Sequence, residues 1–171
     1  NCGVATVRAG NCIGGGDWTK FRILTDAIES FLENKSLKIR NPNSRRPWQH
    51  VLEPLLGYIM IAEKIFNNKK LNYNTSWNFG PNRRVHLKVI EFAKMLRKKM
   101  NSTSKLLISK KKDIREKKDL DLDSKKSLKM LNWKPVLSIN QTLQLTADWY
   151  LAYKKNMNMF NFTKSQIDKF M

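Results

Sequence analysis

A glycine-rich segment near the start of the chain is the first place where residue types point to a ligand site. Gly10 and the glycines at 14–16 surround Asn11, between a short β-branched run and a helical pattern. Backbone N–H groups in such a turn can approach a phosphate closely, and the start of the helix adds positive charge. Asn11 adds an amide that both donates and accepts hydrogen bonds. Because the spacing is not G-x-G-x-x-G, the segment predicts a phosphate site or a plain turn rather than a dinucleotide fingerprint.

Two adjacent arginines form a second candidate site. Arg45 and Arg46 directly precede Pro47 and Trp48, with His50 two residues further on. Guanidinium groups held by rigid neighbours recognise a diphosphate through paired hydrogen bonds, although paired loop arginines are commonly just solvated. A histidine here could titrate near neutral pH, but a lone histidine is more often a structural hydrogen-bonding group. From the residues alone, both interpretations stay open for the arginines and for His50.

The residue spacing gives no support to other kinds of chemistry. The two cysteines and two histidines are scattered along the chain, so we predict no metal site. No G-x-S-x-G nucleophile motif is present. Of the five tryptophans, Trp18 and Trp48 stand beside the polar clusters, and we expect them in the wall of a site.

Strands that alternate with helices must position these residues, and this alternation predicts an α/β protein with a largely parallel sheet. β-branched or alternating residues predict strands at 4–8, 37–40, 77–79 and 106–108. Helical periodicity predicts helices at 21–34, 54–66, 86–100 and 124–131, and a long one from 138. The first helix is expected to turn an apolar stripe inward from Phe21, and the second to bury Leu55, Ile59, Ala62 and Phe66.

Local signals predict where several of these elements end. Asn132 can adopt the left-handed conformation that ends a helix, and Ser138 with Gln141 has the spacing of a capping box. The strand at 4–8 has the composition of a buried strand, which needs neighbours on both sides, yet no element precedes it in the sequence. We therefore expect the sequence to be the carboxyl-terminal part of a longer protein.

The charge of the chain raises the question of nucleic-acid binding. The 171 residues carry 33 Lys or Arg against 14 Asp or Glu, a formal net charge of +19. However, 24 of the basic residues are Lys, and the densest basic stretch, 97–118, contains no aromatic residue for base stacking. A solvated basic face is the usual explanation of such a run. No apolar run approaches the roughly 20 residues that cross a bilayer, so we expect no membrane contact. With only two cysteines we expect reduced thiols and a cytoplasmic protein.

Five segments in collinear order resemble the CDP-glucose 4,6-dehydratase family, a branch of the extended short-chain dehydrogenase/reductase enzymes that act on nucleotide sugars. They are V-A-T-V-R-A-G-N-C-I-G-G-G-D-W (4–18), I-R-N-P (39–42), R-P-W-Q-H-V-L-E-P (46–54), W-N-F-G-P (77–81) and L-N-W-K-P (131–135). Two departures stand out. Asn132 replaces the glycine usual in the family, and residues 115–120 lack the family's H-E-A-H-Y-L pattern, which puts substrate contact from that segment in doubt.

The resemblance implies the carboxyl-terminal part of a Rossmann-type doubly wound fold plus the smaller nucleotide-sugar-binding domain. Segments of about 1–16 and 50–100 would belong to the sheet, about 17–49 and 101–155 to the substrate-binding part, and 156–171 to a tail. It also implies a homodimeric NAD-dependent lyase that converts CDP-glucose to CDP-4-keto-6-deoxyglucose and water. A different nucleotide-sugar dehydratase or epimerase is one alternative, and a basic nucleic-acid-binding module is an alternative of another class.

By position, the resemblance also implies substrate-binding residues. Asn11 and Arg46 would contact the diphosphate and Arg22 would approach the nucleotide. Lys38 and Arg40 would lie on the strand that covers the base and ribose, and Asn78 would contact the nucleotide portion. The catalytic residues, including the Tyr-x-x-x-Lys pair, and most of the NAD site are expected upstream of Asn1, so the 171 residues alone should be inactive.

Overall fold

The computed structural model describes residues 2–67, 73–81, 86–109 and 119–171, and within them strands and helices alternate along much of the chain. The strands are β1 (Thr6–Ala9), β2 (Asn11–Ile13), β3 (Leu37–Ile39), β4 (Arg45–Arg46), β5 (Trp48–His50), β6 (Ser76–Phe79), β7 (Leu87–Lys88) and β8 (Leu106–Ile108). The helices are α1 (Ile23–Leu32), α2 (Leu52–Asn67), α3 (Val89–Lys99), α4 (Lys125–Leu131), α5 (Ile139–Lys154) and α6 (Met159–Phe170).

The predicted basic stretch 97–118 lies partly outside the described residues, because the structure does not describe residues 110–118. The expectation that the catalytic residues precede Asn1 concerns sequence beyond these 171 residues. It therefore stays a prediction.

Strand pairing among the described residues is mostly parallel, as the alternation predicts. β1 pairs with β6, β2 with β5 and β3 with β8 in parallel, whereas β4 pairs with β7 antiparallel. The chain changes partner between β1 and β2. The Gly10 N–H donates to the Phe79 carbonyl (3.2 Å), and the next N–H, that of Asn11, donates to the Pro47 carbonyl (3.0 Å). Two parallel ladders therefore diverge at Gly10.

The predicted helix ends are confirmed where a local backbone signal sets them. Asn34 and Asn132 have φ of 52° and 54°, the left-handed conformation that asparagine tolerates better than most residues. Both hydrogen bonds of the capping box between Ser138 and Gln141 are present at the start of α5. The predicted start of α3 at 86 is wrong by three residues, because residues 87–88 pair with β4 before the helix begins.

Two apolar clusters form the core. The larger one joins α1, α3 and α5 to β3 and includes Trp48, and the smaller one joins α2 and β6 to Trp133. In this grouping α3 packs with α1 and α5, and Trp133 packs with α2. The division into sheet and substrate-binding parts stays a prediction.

The predicted inward face of α2 is wrong. Leu55, Ile59 and Phe66 are 44%, 65% and 88% exposed, whereas Ile61 is buried. The rotation follows from a close approach at Gly57, where a Cβ atom would lie 2.3 Å from the Phe79 ring. Since only glycine fits there, the Gly57 side of the helix lies against β6 and the apolar stripe faces outward.

Two further expectations about burial also fail. Phe21 does not belong to the apolar stripe of the first helix. It is 81% exposed with φ of 66°, because α1 begins only at Ile23. The first strand begins at Thr6 rather than at residue 4, and most of it is exposed. Within the described residues β1 has a neighbour on one side only. No helix among these residues is long and apolar enough to span a bilayer.

Candidate functional site

A cleft of about 790 Å³ opens where the two ladders diverge. Its floor is the backbone from Ala9 to Ile13, at the carboxyl end of β1, and its walls come from the start of α1, from β3, and from the segment joining β4 to β5. Ligands of α/β proteins bind at such points, where neighbouring strands part and their carboxyl ends leave a crevice. We therefore take this cleft as the candidate site.

The divergence depends on contacts that only certain residues permit. A Cβ atom at Gly10 would lie 2.6 Å from the Pro47 carbonyl, so this position needs glycine. The Gln49 side chain crosses the gap, and its amide N–H donates to the Phe79 carbonyl at 2.8 Å. Asn11 is the residue after Gly10 and the first of β2. Its pairing with Trp48 on β5 sets its position at the edge of the cleft.

Arg46 enters the same cleft from β4. Its side chain is buried, with 4% exposure, and Nη1 donates to the carbonyl of Arg45 at 2.8 Å. The neighbouring wall residue Trp48 stacks on Phe92, with ring centroids 4.1 Å apart. A guanidinium held in this way is preorganised for an anion, because little side-chain entropy is lost on binding.

Lys38 and Arg40 reach the cleft through the alternation of β3. Leu37 and Ile39 are buried at 1% and 0% exposure, so the residues between and after them point to the opposite side. The Arg40 Nη2 donates to the Phe21 carbonyl at 3.5 Å. The alternation of this strand is confirmed, and it directs two cations to one wall.

Arg22 stands at the N-terminal end of α1 and forms an ion pair with Asp17, with Nη1 and Oδ2 3.5 Å apart. Partial burial raises the pKa of Asp17, but hydrogen bonds from Thr19 and the Arg22 guanidinium outweigh it and hold that pKa below its ordinary value. Asp17 is therefore ionised at neutral pH, and it orients Arg22 at the rim of the cleft.

The described lining of the cleft carries four cationic side chains, those of Arg22, Lys38, Arg40 and Arg46, and three carboxylates, those of Asp17, Asp26 and Asp121. Asp17 is already paired with a cation of the lining. Guanidinium groups near a glycine-bounded backbone turn are the usual partners of phosphate oxygens. The cleft can therefore bind an anionic ligand, such as one that carries a diphosphate.

Three residues predicted for the site lie outside the described lining of this cleft. Trp18 packs against Tyr150 and Tyr153, each with ring centroids 5.1 Å away. The Asn78 amide donates to the Asp123 carbonyl at 3.1 Å, which turns it toward the segment before α4. His50 lines a different cavity, next to Glu53. The residue that precedes Trp18 in the sequence does line the cleft. A residue's place next to a site residue in the sequence therefore does not fix where its own side chain lies.

His50 lines a second, smaller cavity of about 270 Å³ together with Glu53. Burial lowers the pKa of His50 to about 4, and its Nδ1 accepts a hydrogen bond from the Leu52 N–H at 3.4 Å. Burial raises the pKa of Glu53, although the N–H groups of Val136 and Leu137 donate to its Oε1. His50 is therefore neutral at physiological pH and accepts a hydrogen bond from the start of α2, and its place in the wall of a substrate site stays a prediction.

Two groups of residues near the site were missed as contributors. Tyr150 of α5 accepts a hydrogen bond from the Asp17 N–H (3.0 Å) and donates one to the Asp17 carbonyl (2.7 Å). Leu120, Asp121 and Leu122 line the cleft, next to the segment where the family pattern is absent. The Leu120 N–H donates to the Arg45 carbonyl at 3.4 Å. Both contacts join residues far apart in sequence, so spacing carries no signal for them.

Comparison with known proteins gives one close match in sequence. No family model matches the chain. The chain is 40% identical over 171 residues to CDP-glucose 4,6-dehydratase of Salmonella typhimurium (strain LT2), an alignment that covers 99% of this chain and 47% of the relative. The chain is similar to CDP-glucose 4,6-dehydratase along its whole length. This confirms the resemblance that the motifs predicted, and the chain spans about half the length of this relative.

Solved structures with the same fold include nucleotide-sugar dehydratases and epimerases. A dTDP-glucose 4,6-dehydratase from Streptomyces venezuelae, solved with NAD bound, superposes with a TM-score of 0.75 at 16% identity, over 91% of this chain and 46% of that one. UDP-glucuronic acid 4-epimerase from Bacillus cereus, solved with NAD and UDP-glucuronic acid, gives 0.72 at 18% identity, over 86% and 45%. These likenesses confirm the predicted Rossmann-type α/β fold.

Proposed function

We propose that the chain supplies the nucleotide-sugar site of an NAD-dependent CDP-glucose 4,6-dehydratase, which converts CDP-glucose to CDP-4-keto-6-deoxyglucose and water. The observation that carries the proposal is the 40% identity to that enzyme over 99% of the chain. The cation-lined cleft supports it independently, because the diphosphate is the most strongly charged part of this substrate.

In this proposal the cleft holds the substrate through its charged centre. Arg46 and Asn11 bind the diphosphate, Arg22 approaches the nucleotide, and Lys38 with Arg40 covers the base and ribose. Burial of Arg46 favours this role, since charge-assisted hydrogen bonds are stronger where water is excluded. Asn78 stays a prediction that its contact with Asp123 does not support.

NAD is the cofactor of the proposed reaction, where it would supply reversible hydride transfer between C4 and C6 of the sugar. The 171 residues contain no G-x-G-x-x-G or G-x-x-G-x-x-G segment. In the glycine-rich turn of this chain, the space beside Gly15 is filled by the ring of Trp149, 2.0 Å from a Cβ atom built there. This turn therefore does not fit a dinucleotide, and we assign no NAD contact to the residues described.

Replacement of Arg46 tests the proposal directly. We expect Arg46→Ala to weaken CDP-glucose binding by at least several-fold, because a hydrogen bond to a charged group contributes roughly 1.5–3 kcal/mol. Arg46→Lys should restore part of the affinity, since it keeps the charge and loses the planar fork. Isothermal titration calorimetry measures both constants. Arg97→Ala is the matched control, because Arg97 donates to the Ser104 carbonyl outside the cleft. Equal affinity of Arg46→Ala and the parent chain would remove Arg46 from the site.

Two alternatives are separated by the choice of ligand. The likeness to epimerase structures favours another nucleotide sugar, and tighter binding of a UDP-, GDP- or dTDP-sugar than of CDP-glucose would support that alternative. The basic composition favours a nucleic-acid-binding module as an alternative of another class. Salt-dependent binding to unrelated DNA duplexes that CDP-glucose does not compete away would support the module.

The proposal extends to the assembly and location of the enzyme. We propose that the enzyme is a homodimer, as the resemblance implies. We also propose that it is cytoplasmic, since neither cysteine forms a disulfide. Sedimentation equilibrium of the enzyme that contains this chain tests the assembly, and a monomer would contradict it.

A further inference from the structure

One aromatic residue at the rim of the cleft has an unusual backbone conformation. Phe21 has φ of 66°, in the left-handed region where a bulky side chain is an outlier. The other four non-glycine residues with positive φ in the described part of the chain are all asparagine, which tolerates this conformation. Backbone strain of this kind persists only where other contacts impose it, and it is concentrated at ligand sites.

The contacts that impose the conformation surround Phe21 along the chain. The buried hydroxyl of Thr25 donates to the Thr19 carbonyl at 2.6 Å and to the Arg22 carbonyl at 3.0 Å. The Arg40 Nη2 donates to the carbonyl of Phe21 itself at 3.5 Å. The backbone is thereby fixed before, at and after Phe21, and none of these contacts uses its ring. The fold holds this ring in place without using it to fill the core.

The Phe21 ring is also the exposed aromatic ring of the cleft. The described lining contains two aromatic residues, Phe21 and Trp48. Trp48 is 4% exposed and its ring already stacks on Phe92, whereas Phe21 is 81% exposed. A single exposed apolar residue is ordinary on a protein surface. Here, however, exposure, strain and a place in the lining coincide in one residue, and its ring is available to a ligand.

The neighbours of Phe21 indicate which part of a ligand its ring would meet. Arg22 follows it directly and Arg40 contacts its carbonyl. In the proposed function these two arginines lie at the nucleotide end of the substrate, whereas Asn11 and Arg46 bind the diphosphate. A nucleobase stacks on aromatic rings through its flat faces, while its edge carries hydrogen-bonding groups. An exposed ring between two guanidinium groups therefore suits a nucleobase better than a phosphate.

We propose that Phe21 is a stacking platform for the nucleobase of the substrate, and that the strained backbone at this residue presents the ring to the cleft. The proposal rests on the proposed function, since it takes the ligand to be a nucleotide sugar. Stacking uses the flat face that every base has. Phe21 therefore contributes affinity for the nucleoside, and it does not select between cytosine and uracil.

Removal of the ring tests the proposal through ligands with and without a base. In the enzyme that contains this chain, Phe21→Gly should weaken binding of CDP and of CDP-glucose by about tenfold, because it removes one base–aromatic stack. The affinity for UDP should fall by a similar factor. Inorganic pyrophosphate has no base, so its affinity should stay unchanged. Phe21→Tyr keeps a ring and should bind all four ligands like the parent. Isothermal titration calorimetry measures each constant.

A second variant separates loss of the ring from a change in backbone freedom. Phe21→Asn also removes the ring but has a side chain that tolerates the left-handed conformation, so it should repeat the losses of Phe21→Gly. Neither variant should lower Tm of the free enzyme, because both residues accept this φ more readily than phenylalanine. Phe160→Ala is the matched control. Phe160 is 78% exposed on α6, outside the described lining, and its removal should leave all affinities unchanged.

Two results would overturn the proposal and leave the proposed function intact. If Phe21→Gly bound CDP-glucose as tightly as the parent, the ring would make no contact with the ligand. If the variant lost affinity for CDP and for pyrophosphate equally, Phe21 would act only on the order of its loop. A parent enzyme that binds none of these nucleotides would overturn the proposed function and this proposal together.

Discussion

At the scale of single residues, Tyr150 ties helix α5 to the loop beside the cleft. Its hydroxyl forms two hydrogen bonds with the backbone of Asp17, and Asp17 in turn holds Arg22. Burial raises the pKa of Tyr150 to about 12, so the hydroxyl stays protonated and can donate throughout the neutral range. One buried side chain thus positions an ion pair at the rim of the site.

We expect Tyr150→Phe to lower both stability and ligand affinity. The variant keeps the packed ring but leaves the Asp17 N–H and carbonyl without this partner, which costs roughly 1–2 kcal/mol of unfolding free energy. CDP-glucose affinity should fall by a few-fold, because the loop carrying Asp17 is less ordered before binding. Urea unfolding and calorimetry measure the two effects. Tyr153→Phe on the same helix is the control, and if both variants behave alike the hydroxyl of Tyr150 has no positioning role.

His50 predicts a specific pH dependence of stability. Its pKa is about 4 in the folded chain and about 6.5 when unfolded, so only the unfolded state binds the proton between these values. The unfolding free energy contributed by His50 is therefore fully present above pH 6.5 and decreases by roughly 3 kcal/mol as pH falls to 4. Glu53, with a raised pKa, acts in the opposite sense as pH rises above its ordinary value.

Comparison of the parent chain with His50→Gln isolates this contribution. Urea unfolding at intervals between pH 4 and 7 should show a smaller loss of stability at low pH for His50→Gln than for the parent, because glutamine does not titrate. Parallel curves for the two proteins would show that protonation of His50 in the folded state costs nothing.

At the scale of elements, a single close contact decides which face of α2 is buried. Gly57 lies against the Phe79 ring, and the helix rotates so that this contact is made. Apolar periodicity alone favours the opposite face, since that face carries four apolar residues, Leu55, Ile59, Ala62 and Phe66. Close packing between two elements thus outweighs the apolar pattern of one of them, because overlapping atoms cost more than exposed apolar area.

Gly57→Ala should therefore destabilise the chain although alanine favours helices. The added methyl group would lie 2.3 Å from the Phe79 ring, and the resulting shift should cost about 1–3 kcal/mol despite a gain of about 1 kcal/mol in helix propensity. Combination with Phe79→Leu should recover part of that loss in a double-mutant cycle. Glu63→Ala, at an exposed position of α2, should change the unfolding free energy by less than about 0.5 kcal/mol. Additive effects of Gly57→Ala and Phe79→Leu would contradict this account of the helix rotation.

At the scale of the whole molecule, the cleft is assembled from distant parts of the chain. The carboxyl end of β1, the strands β3 and β4, the start of α1 and residues 120–122 each supply part of its lining. A ligand that bridges these parts binds only the folded chain, so it must stabilise the whole fold.

We therefore expect CDP-glucose to raise Tm of the chain. At 100 times its Kd the ligand adds about 2.7 kcal/mol, which corresponds to a shift of roughly 5–10 °C for a domain of this size. Differential scanning fluorimetry with CDP-, UDP-, GDP- and dTDP-glucose ranks the candidate substrates, and CDP-glucose should give the largest shift. Arg46→Ala should reduce the shift, whereas no shift with any of the four would count against a nucleotide-sugar site in this chain.

The sequence by itself determined the features that depend on neighbouring residues. Helix ends at Asn34, Asn132 and Ser138 follow from backbone preference and capping, and the alternation in β3 follows from a period of two residues. The alternation of strands and helices along the chain was enough to predict the fold class. The order of the five motifs was enough to predict the family resemblance, because both features can be read from the sequence in one direction.

Only the tertiary structure decided which side chains meet. It gathers Asn11, Arg22, Lys38, Arg40 and Arg46 in one cleft, and it leaves Trp18, His50 and Asn78 outside the described lining. It also turned the apolar stripe of α2 outward. These outcomes depend on the rotation of each element about its axis and on contacts between residues far apart in sequence. Local periodicity carries no information about either, because it describes one element at a time.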